Sequence, residues 1–300
     1  QSIVGVKTTF GLVPNTGVAP LQGSLRDVVG PFARTVRDAA IMLDVMAGYT
    51  PEDPKTVASI GKIPDGGYTS LLSDKALFGA RVGLYGPGFR NDMPLSEETR
   101  VLYEKAIAEL KSEGAIVIED PFAGSGFNEI PLTNLGDSFA YDFNAYLARM
   151  GPDVPAHNLE ELREVLPPEA FASGWGARLA APGAGSVPDL SGFVEARTAL
   201  LKTFMEVFEA HDLDVLVFPH DASGIPMREG GSHQVIATPV INVAGLPGVV
   251  VPAGVYSNGM PFSLIFIGPQ WSEAQLLAYA YDYEQATRHR IVPELVVVER

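Results

Sequence analysis

The chain has 300 residues, of which 46% are hydrophobic, with a formal net charge of −15 and no cysteine. The negative charge argues against nucleic acid and anionic membrane surfaces as partners, because binding to either depends on clustered Lys and Arg. The missing cysteine excludes disulfides, thiol nucleophiles and cysteine-ligated metals in these residues.

The first predicted helix follows a glycine-rich opening. Apolar residues recur at helical spacing over 35–47, with Thr35 as the predicted N-cap. A strand is predicted over 81–86, a helix over 96–113 and a second strand over 115–119. This spacing is typical of a βαβ unit, so the two strands are predicted to be parallel neighbours with the helix packed across them.

The second half of the chain also alternates helices with strands. Residues 121–190 are less regular and rich in aromatics. A long helix is predicted around 193–208, a buried strand over 213–219, two further strands in "PGVVVPAG" and "PFSLIFIG", and a last helix from Ser272. The chain is therefore predicted to be an α/β protein, and no stretch is apolar and long enough to span a bilayer.

Several common site motifs are incomplete. Gly86-Pro-Gly88 follows a strand, but Asn91 stands where a dinucleotide-binding turn needs its third glycine. No G-x-S-x-G or P-loop motif is present, and the five histidines show no metal-ligand spacing. We therefore expect no cofactor and no metal.

Candidate site residues follow the buried strand that ends at Pro219. His220 and Asp221 lie at a strand end, where α/β proteins place their sites, although a loop that lines a cleft without doing chemistry fits the pair better. "GGSH" at 230–233 could place Ser232 beside a cleft, and an ordinary surface loop is again the favoured interpretation.

An aromatic cluster could form the wall of a substrate pocket. Phe139, Phe143 and Tyr146 have the spacing of a helix face that points to the core. Trp175, between two glycines, is the better wall candidate. The full cluster is Phe139, Tyr141, Phe143, Tyr146, Phe171 and Trp175.

Four sequence blocks carry a resemblance to a known family. "GVKTTFGLVP" and "GSLRDVVGPFARTVRDAAIMLDVMAG" resemble two consecutive segments of the amidase signature family. "YDFNAYLARMGP" is similar to a segment of peptide-amidase-like and aryl-acylamidase-like members. "INVAGLPGVVVPAG" begins a stretch that resembles the C-terminal block of the family. The resemblance covers nearly the whole chain, in the family's order.

The resemblance implies a fold and a reaction. The fold is a mixed, largely parallel central sheet flanked by helices, expected to be incomplete at its N-terminus. Residues 1–300 are then a single domain that is the C-terminal portion of a larger amidase domain, with 121–190 as an irregular insertion on the substrate side. The reaction is hydrolysis of a C–N bond by a nucleophilic Ser, a second Ser held by a cis peptide and a Lys.

The resemblance also implies that these three catalytic residues precede the glycine-lysine segment. Lys7 is then not the catalytic Lys, and Ser2 is too close to Gly5 to be the nucleophile. We therefore expect no catalytic residue in this chain, and a partner segment upstream of residue 1 that is cleaved, disordered or on another chain. The residues carried over as scaffold behind the site are Gly5, Lys7, Thr9 and Gly11.

Two functions remain open from the sequence. The chain is either the scaffold and substrate-pocket portion of an amide hydrolase or a non-catalytic amidase-like module that binds ligands or partners. A hydrolase of this kind would take a small amide, aryl amide or carbamate substrate, and we expect it in the cytoplasm. Without the upstream segment the chain is expected to be inactive and to fold poorly, because 2–14 would lose its packing partners.

The substrate cleft is expected to collect four side chains. Many relatives have proline-threonine where this chain has Pro219-His220-Asp221, which suggests a particular substrate range. His220 is expected to tune binding rather than to act as a base. The four predicted substrate-binding residues are Trp175, His220, Asp221 and Tyr141.

Overall fold

The computed structural model describes residues 2–90, 92–224 and 234–293. Within them, the strands are β1 (Val4–Lys7), β2 (Phe32–Ala33), β3 (Arg81–Leu84), β4 (Ile116–Ile118), β5 (Val215–Pro219), β6 (Gly248–Val255) and β7 (Pro261–Ile267). The α-helices are α1 (Val36–Met46), α2 (Glu97–Ser112), α3 (Phe139–Leu147), α4 (Leu159–Val165), α5 (Gly174–Ala180), α6 (Ser191–His211), α7 (Thr238–Ala244) and α8 (Glu273–Thr287).

The strands form one mixed sheet in the order β2-β1-β6-β7-β5-β3-β4. The mixed α/β sheet flanked by helices is confirmed, but its expected largely parallel character is corrected. Only β3 pairs in parallel, with β4 and β5, whereas the pairs β1–β2, β1–β6, β5–β7 and β6–β7 in the described part of the chain are antiparallel. A short turn joins β6 to β7, where the Tyr256 N–H donates to the Met260 carbonyl, and strands joined this closely can only run antiparallel.

The predicted βαβ unit is confirmed. β3 and β4 pair in parallel, from Arg81 opposite Ile116 to Gly83 opposite Ile118. Helix α2 is anchored to the sheet by Tyr103, whose hydroxyl donates to the Val217 carbonyl at 2.6 Å and accepts the Tyr85 N–H at 2.9 Å. Local sequence is enough to specify this unit because its strands, helix and caps lie within 40 consecutive positions of each other.

Both predicted helix starts are supported by their caps. The Thr35 hydroxyl accepts the Asp38 N–H at 3.0 Å, and the Ser96 hydroxyl accepts the Thr99 N–H at 3.2 Å. Each side chain thereby satisfies one of the backbone donors that a helix leaves unpaired at its first turn.

The core lies on both faces of the sheet. Alternate residues of β5 point to opposite faces, as the pleat requires. Val215 and Val217 join a cluster with α1, α2 and α8, whereas Leu216 and Phe218 join a cluster with α6 and α7. All four are fully buried, which explains the continuous apolar run of this strand.

Residues 121–190 contain the three short helices α3, α4 and α5. They share a small apolar cluster of their own around Phe139, Leu147, Leu159 and Leu179. Phe139 is buried, and Phe143 and Tyr146 are partly buried against this cluster, as helical spacing indicates for them. That this segment is an insertion on the substrate side stays a prediction.

The opening segment packs within the chain itself. Val4, Val6, Leu12 and Val13 are buried by elements of these 300 residues. The expectation that 2–14 would be left without packing partners is therefore wrong, because β1 lies beside β6 inside the sheet. In the described part of the chain, no helix is both long and apolar enough to cross a membrane.

Candidate functional site

A histidine–aspartate pair stands at the end of β5. His220 Nδ1 lies 2.9 Å from Asp221 Oδ2, and His220 Nε2 lies 3.4 Å from the Thr238 hydroxyl. A carboxylate beside Nδ1 favours the tautomer with the proton on that nitrogen, which leaves Nε2 as an acceptor for Thr238. Both side chains retain exposure, 24% for His220 and 14% for Asp221, so a ligand can reach the pair.

Backbone hydrogen bonds fix this pair in place. The His220 N–H donates to Ser263 on β7, and the His220 carbonyl accepts the Ile236 N–H. Asp221 forms an isolated antiparallel bridge with Val235, just before α7. The pair is thus held by two elements that follow it in the chain, and the predicted turn at 230–233 with Ser232 lies outside the described residues.

Tyr141 and Trp175 lie on the helices of the 121–190 segment. Trp175 on α5 is 55% exposed, with its ring centroid 5.3 Å from Phe139 and the Arg178 guanidinium 4.8 Å above its ring. Tyr141 on α3 is 38% exposed and lies on the wall of a cavity of about 550 Å³. Trp175 therefore lies partly exposed against Phe139 and Arg178, and Tyr141 lies on the wall of a cavity, while Trp175 as the wall of a substrate pocket stays a prediction.

The structure brings His220 and Asp221 into contact, and it places Tyr141 on the wall of the 550 Å³ cavity. The described residues that line the 550 Å³ cavity include Tyr141, but not Trp175, His220 or Asp221. The shared cleft for all four stays a prediction.

Three of the predicted scaffold residues are constrained by close contacts. A Cβ on Gly5 would lie 3.0 Å from the Phe32 ring, and a Cβ on Gly11, whose φ is +91°, would lie 2.8 Å from the Lys55 carbonyl oxygen. The Thr9 hydroxyl accepts the Trp271 N–H at 2.9 Å. The contact of Gly11 is made to backbone at a left-handed φ, which explains glycine at that position, whereas the Phe32 ring beside Gly5 is exposed and can shift.

Lys7 is the fourth scaffold residue, and it forms an electrostatic unit with Glu273. The Lys7 ammonium donates to the Leu246 carbonyl at 2.6 Å and to the Thr8 carbonyl at 3.1 Å. Although the residue keeps some exposed surface, desolvation of the ammonium lowers the pKa of Lys7 to about 7, while the Glu273 charge opposes this shift. Lys7 thus ties the end of β1 to the residues that precede β6.

Glu273, the first residue of α8, is 1% exposed and accepts the Thr9 N–H at 2.5 Å. Burial raises the pKa of Glu273, and its hydrogen bonds from Thr9 and the charge of Lys7 oppose this rise. Sequence reasoning missed this residue, because an acidic residue at the start of a helix is ordinarily explained by the helix dipole.

Asp142 is a second buried acid that sequence reasoning did not single out. It is 7% exposed, and its carboxylate accepts hydrogen bonds from the Ser138 hydroxyl at 2.6 Å, the Ser24 N–H at 3.0 Å and the Ser24 hydroxyl. The available signal was its place within the aromatic run of α3, where a charged residue needs partners if it is buried. Among the described residues, no group of three or more His, Asp or Glu side chains could hold a metal ion.

Comparison with known proteins decides the family. The sequence profile of the amidase family matches residues 1–277. The chain belongs to the amidase family. Its relatives in this family include a probable amidase of Arabidopsis thaliana, 32% identical over 99% of this chain, and a glutamyl-tRNA(Gln) amidotransferase subunit of Roseobacter denitrificans, 31% identical over 94% of it.

Solved amidase structures share the fold. The peptide amidase of Stenotrophomonas maltophilia superimposes with a TM-score of 0.73 at 29% identity, over 98% of this chain and 60% of its own. This chain spans 55% of the Arabidopsis relative and 59% of the Roseobacter relative. The seven-strand mixed sheet flanked by helices thus corresponds to a little over half of the length of these family members.

Proposed function

We propose that this chain is the scaffold and substrate-pocket portion of a serine amide hydrolase whose nucleophilic Ser, second Ser and Lys lie on polypeptide upstream of residue 1. The match of residues 1–277 to the amidase family carries this proposal. The substrate is a small amide, aryl amide or carbamate. The expected location of the protein, the cytoplasm, stays a prediction.

The reaction proposed for the whole protein is acyl transfer to serine. The neutral Lys takes the proton of the nucleophilic Ser through the second Ser, and the nucleophile forms a bond to the substrate carbonyl carbon. The C–N bond then breaks as the leaving nitrogen receives that proton, and water hydrolyses the acyl-enzyme. A carbamate presents the same carbonyl and an amine leaving group, so the same steps apply to it.

Contacts of the described residues support the placement of the triad outside this chain. Ser2 is 5% exposed, and its hydroxyl accepts the Ile291 N–H at 3.0 Å. The Lys7 ammonium already donates hydrogen bonds to two backbone carbonyl oxygens. Over 2–90, 92–224 and 234–293, no hydrogen bond joins a lysine ammonium to a serine hydroxyl.

Exposed apolar side chains on two neighbouring elements support a role for further polypeptide. Phe32 on the edge strand β2 is 73% exposed, and Val45 on α1 is 83% exposed. Phe32 and Met42 line a groove of about 320 Å³ together with the charged side chains of Arg34 and Asp38. Covering this groove is a role that we assign to the upstream segment.

A fluorophosphonate probe tests this proposal. We expect no serine label on this chain expressed alone, and a stoichiometric label on a serine outside residues 1–300 in the protein expressed from its complete gene. Heat-denatured protein serves as the control for non-specific labelling. A stoichiometric label on any serine of this chain would overturn the placement of the triad. An unlabelled complete protein would overturn the hydrolase in favour of a binding module.

His220→Ala is expected to change substrate preference and leave acylation intact. The variant removes one polar contact at the end of β5, which is worth about 1 kcal/mol, or about a fivefold rise in KM with little change in kcat. Steady-state kinetics of the protein expressed from its complete gene measures this effect, as KM and kcat for amide, aryl amide and carbamate substrates. His211→Ala, on the last turn of α6, is the matched control. Loss of all turnover, with folding and probe labelling retained, would contradict a role in binding alone.

A further inference from the structure

A cluster of three titratable side chains joins helix α2 to the end of α8. Glu109 on α2 accepts a hydrogen bond from the Tyr283 hydroxyl on α8 at 2.6 Å, and its two carboxylate oxygens lie 2.9 Å and 3.0 Å from His289 Nε2. Tyr283 is fully buried, and the side chains of His289 and Glu109 are only 14% and 20% exposed. The proposed reaction makes no use of these three residues, which we call the clasp.

Glu109 is the centre of the clasp. Hydrogen bonds to a carboxylate are stronger than those between neutral groups, and burial raises the pKa of Tyr283, so its hydroxyl keeps the proton that it donates. Tyr283 thereby fixes the carboxylate against which His289 docks. The Lys105 ammonium lies 3.6 Å from the same carboxylate, but it is 60% exposed and contributes little. His289 is therefore held in place mainly by Glu109.

His289 belongs to a short segment that leaves α8 in a constrained conformation. Arg288, just after the helix, has a φ of +49°, and its N–H donates to the Glu284 carbonyl at 2.9 Å. A left-handed residue is uncommon outside glycine, and it turns the chain away from the helix that it ends. The contact of the next residue, His289, with Glu109 stabilises that turn. We call residues 288–293 the strap.

The strap reaches the first described residue of the chain. The Ile291 N–H donates to the Ser2 hydroxyl at 3.0 Å, a contact across 289 positions. Ser2 is buried and has a φ of +51°, a conformation that a serine keeps only where its surroundings hold it. Because β1 begins two residues later, at Val4, this φ sets the direction from which polypeptide before Ser2 approaches the sheet. The strap thus links the clasp to that direction.

We infer that the strap positions the polypeptide upstream of residue 1, which makes Glu109, Tyr283 and His289 positioning residues for the acylation step. The inference rests on the proposed function, because that proposal places the nucleophilic Ser on the upstream polypeptide. The nucleophile must lie about 3–3.5 Å from the carbonyl carbon, and a displacement of about 1 Å can slow the reaction by a factor of about 100. A released strap leaves Ser2 free to change direction and lets the nucleophile move.

Amide hydrogen exchange tests the hold of the clasp on the strap, in the protein expressed from its complete gene. In His289→Ala the Ile291 amide should exchange about tenfold or more faster, because the hydrogen bonds that tether the strap to Glu109 are lost. His289→Gln places an N–H donor near Glu109 and should restore most of the protection. His211→Ala, at the end of α6, is the control and should leave this exchange unchanged. Wild-type exchange of Ile291 in His289→Ala would overturn the inference.

The rate of fluorophosphonate labelling tests the positioning itself. His289→Ala and Ser2→Ala interrupt the same link at its two ends, so each should slow the labelling of the folded protein about fivefold or more. The double variant should be no slower than the slower single variant, because either substitution alone already disconnects the clasp from residue 2. A merely structural role for these side chains would lower the free energy of unfolding but leave the labelling rates of the folded variants at the wild-type value, and that result would overturn the inference.

Two acidic residues of α2 form a matched pair of variants. Glu109→Gln removes a negative charge from the clasp, whereas Glu104→Gln removes one from an exposed pair with Arg100. Glu109→Gln should slow labelling about threefold or more and speed the exchange of the Ile291 amide, because the hydrogen bond to His289 is then no longer charge-assisted. Glu104→Gln should change neither. Equal labelling rates in the two folded variants would contradict a role for the clasp.

The two proposals fail separately. Faster Ile291 exchange in His289→Ala with an unchanged labelling rate would retain the hydrolase and remove the positioning role. A complete protein that takes no fluorophosphonate label would remove the hydrolase and, with it, the positioning role.

Discussion

Gly30→Ala is expected to lower the free energy of unfolding by about 3 kcal/mol or more, or to prevent folding altogether. A Cβ at this position would lie 1.8 Å from the Val6 carbonyl oxygen and 2.9 Å from the Val6 carbonyl carbon. Val6 cannot retreat, because its N–H donates to the Pro31 carbonyl at 3.0 Å and the residue pairs with Val249 of β6. Urea denaturation followed by circular dichroism measures the loss.

Gly151→Ala is the matched control for this prediction. An added Cβ at Gly151 would meet no atom within 4 Å, and this glycine does not have a left-handed φ. Its substitution should change the free energy of unfolding by less than about 1 kcal/mol. If Gly30→Ala is as stable as Gly151→Ala, the close approach of Gly30 to β1 is wrong.

Lys7→Met is expected to cost about 1–3 kcal/mol of stability, because it leaves the Leu246 and Thr8 carbonyl groups without their donor and removes the charge that opposes the rise in the pKa of Glu273. Glu273 is 1% exposed, and the Leu246 carbonyl receives the Lys7 ammonium at 2.6 Å. The double variant with Glu273→Gln should lose less than the sum of the two single variants, since the buried charge is then removed with its partner. Chemical denaturation of the wild type, the two single variants and the double variant completes this double-mutant cycle.

The pH dependence of stability gives a second measurement of the same unit. Lys7 has a pKa of about 7 in the folded protein and 10.5 as the ordinary value. Between these two values the unfolded state binds the proton and the folded state does not, so this group makes stability rise with pH across that window. Glu273, whose pKa burial raises, contributes in the opposite direction as pH rises above its ordinary value of 4.5.

Lys7→Met should remove the rise that begins near pH 7, whereas Lys62→Met, an exposed lysine, should retain it. An unchanged pH profile in Lys7→Met would show that the Lys7 ammonium is not desolvated in the folded protein.

The βαβ unit and the helix caps were predictable from the sequence because they depend on neighbours. The Ser96 hydroxyl and the Thr99 N–H that it caps are three positions apart, and strands β3 and β4 are joined directly through α2. The direction of most strand pairs was not predictable in this way. β1 pairs with β6 across more than 240 positions, and no local pattern specifies which neighbour a buried strand takes.

For the candidate site, the sequence indicated which residues take part but not which side chains surround them in the folded protein. His220 and Asp221 are adjacent in the chain, so their position at the end of β5 followed from one buried strand. The contact with Thr238 lies 18 positions away, and it depends on where α7 packs. Helix α3 carries Tyr141 to the wall of a cavity that Asp142 also lines, and a cleft shared by Tyr141 and His220 stays a prediction.

By itself, the sequence determined the α/β class, the local elements and the resemblance to the amidase signature family, because each of these depends on residue order along short stretches. Only the tertiary structure decided which groups lie next to the buried acids Glu273 and Asp142. Lys7 and Glu273 are 266 positions apart, and Ser24 and Asp142 are 118 apart. Sequence periodicity reports only on near neighbours, so it carries no information on pairs this far apart. A buried charge is stabilised by the groups that tertiary packing brings within hydrogen-bonding distance of it.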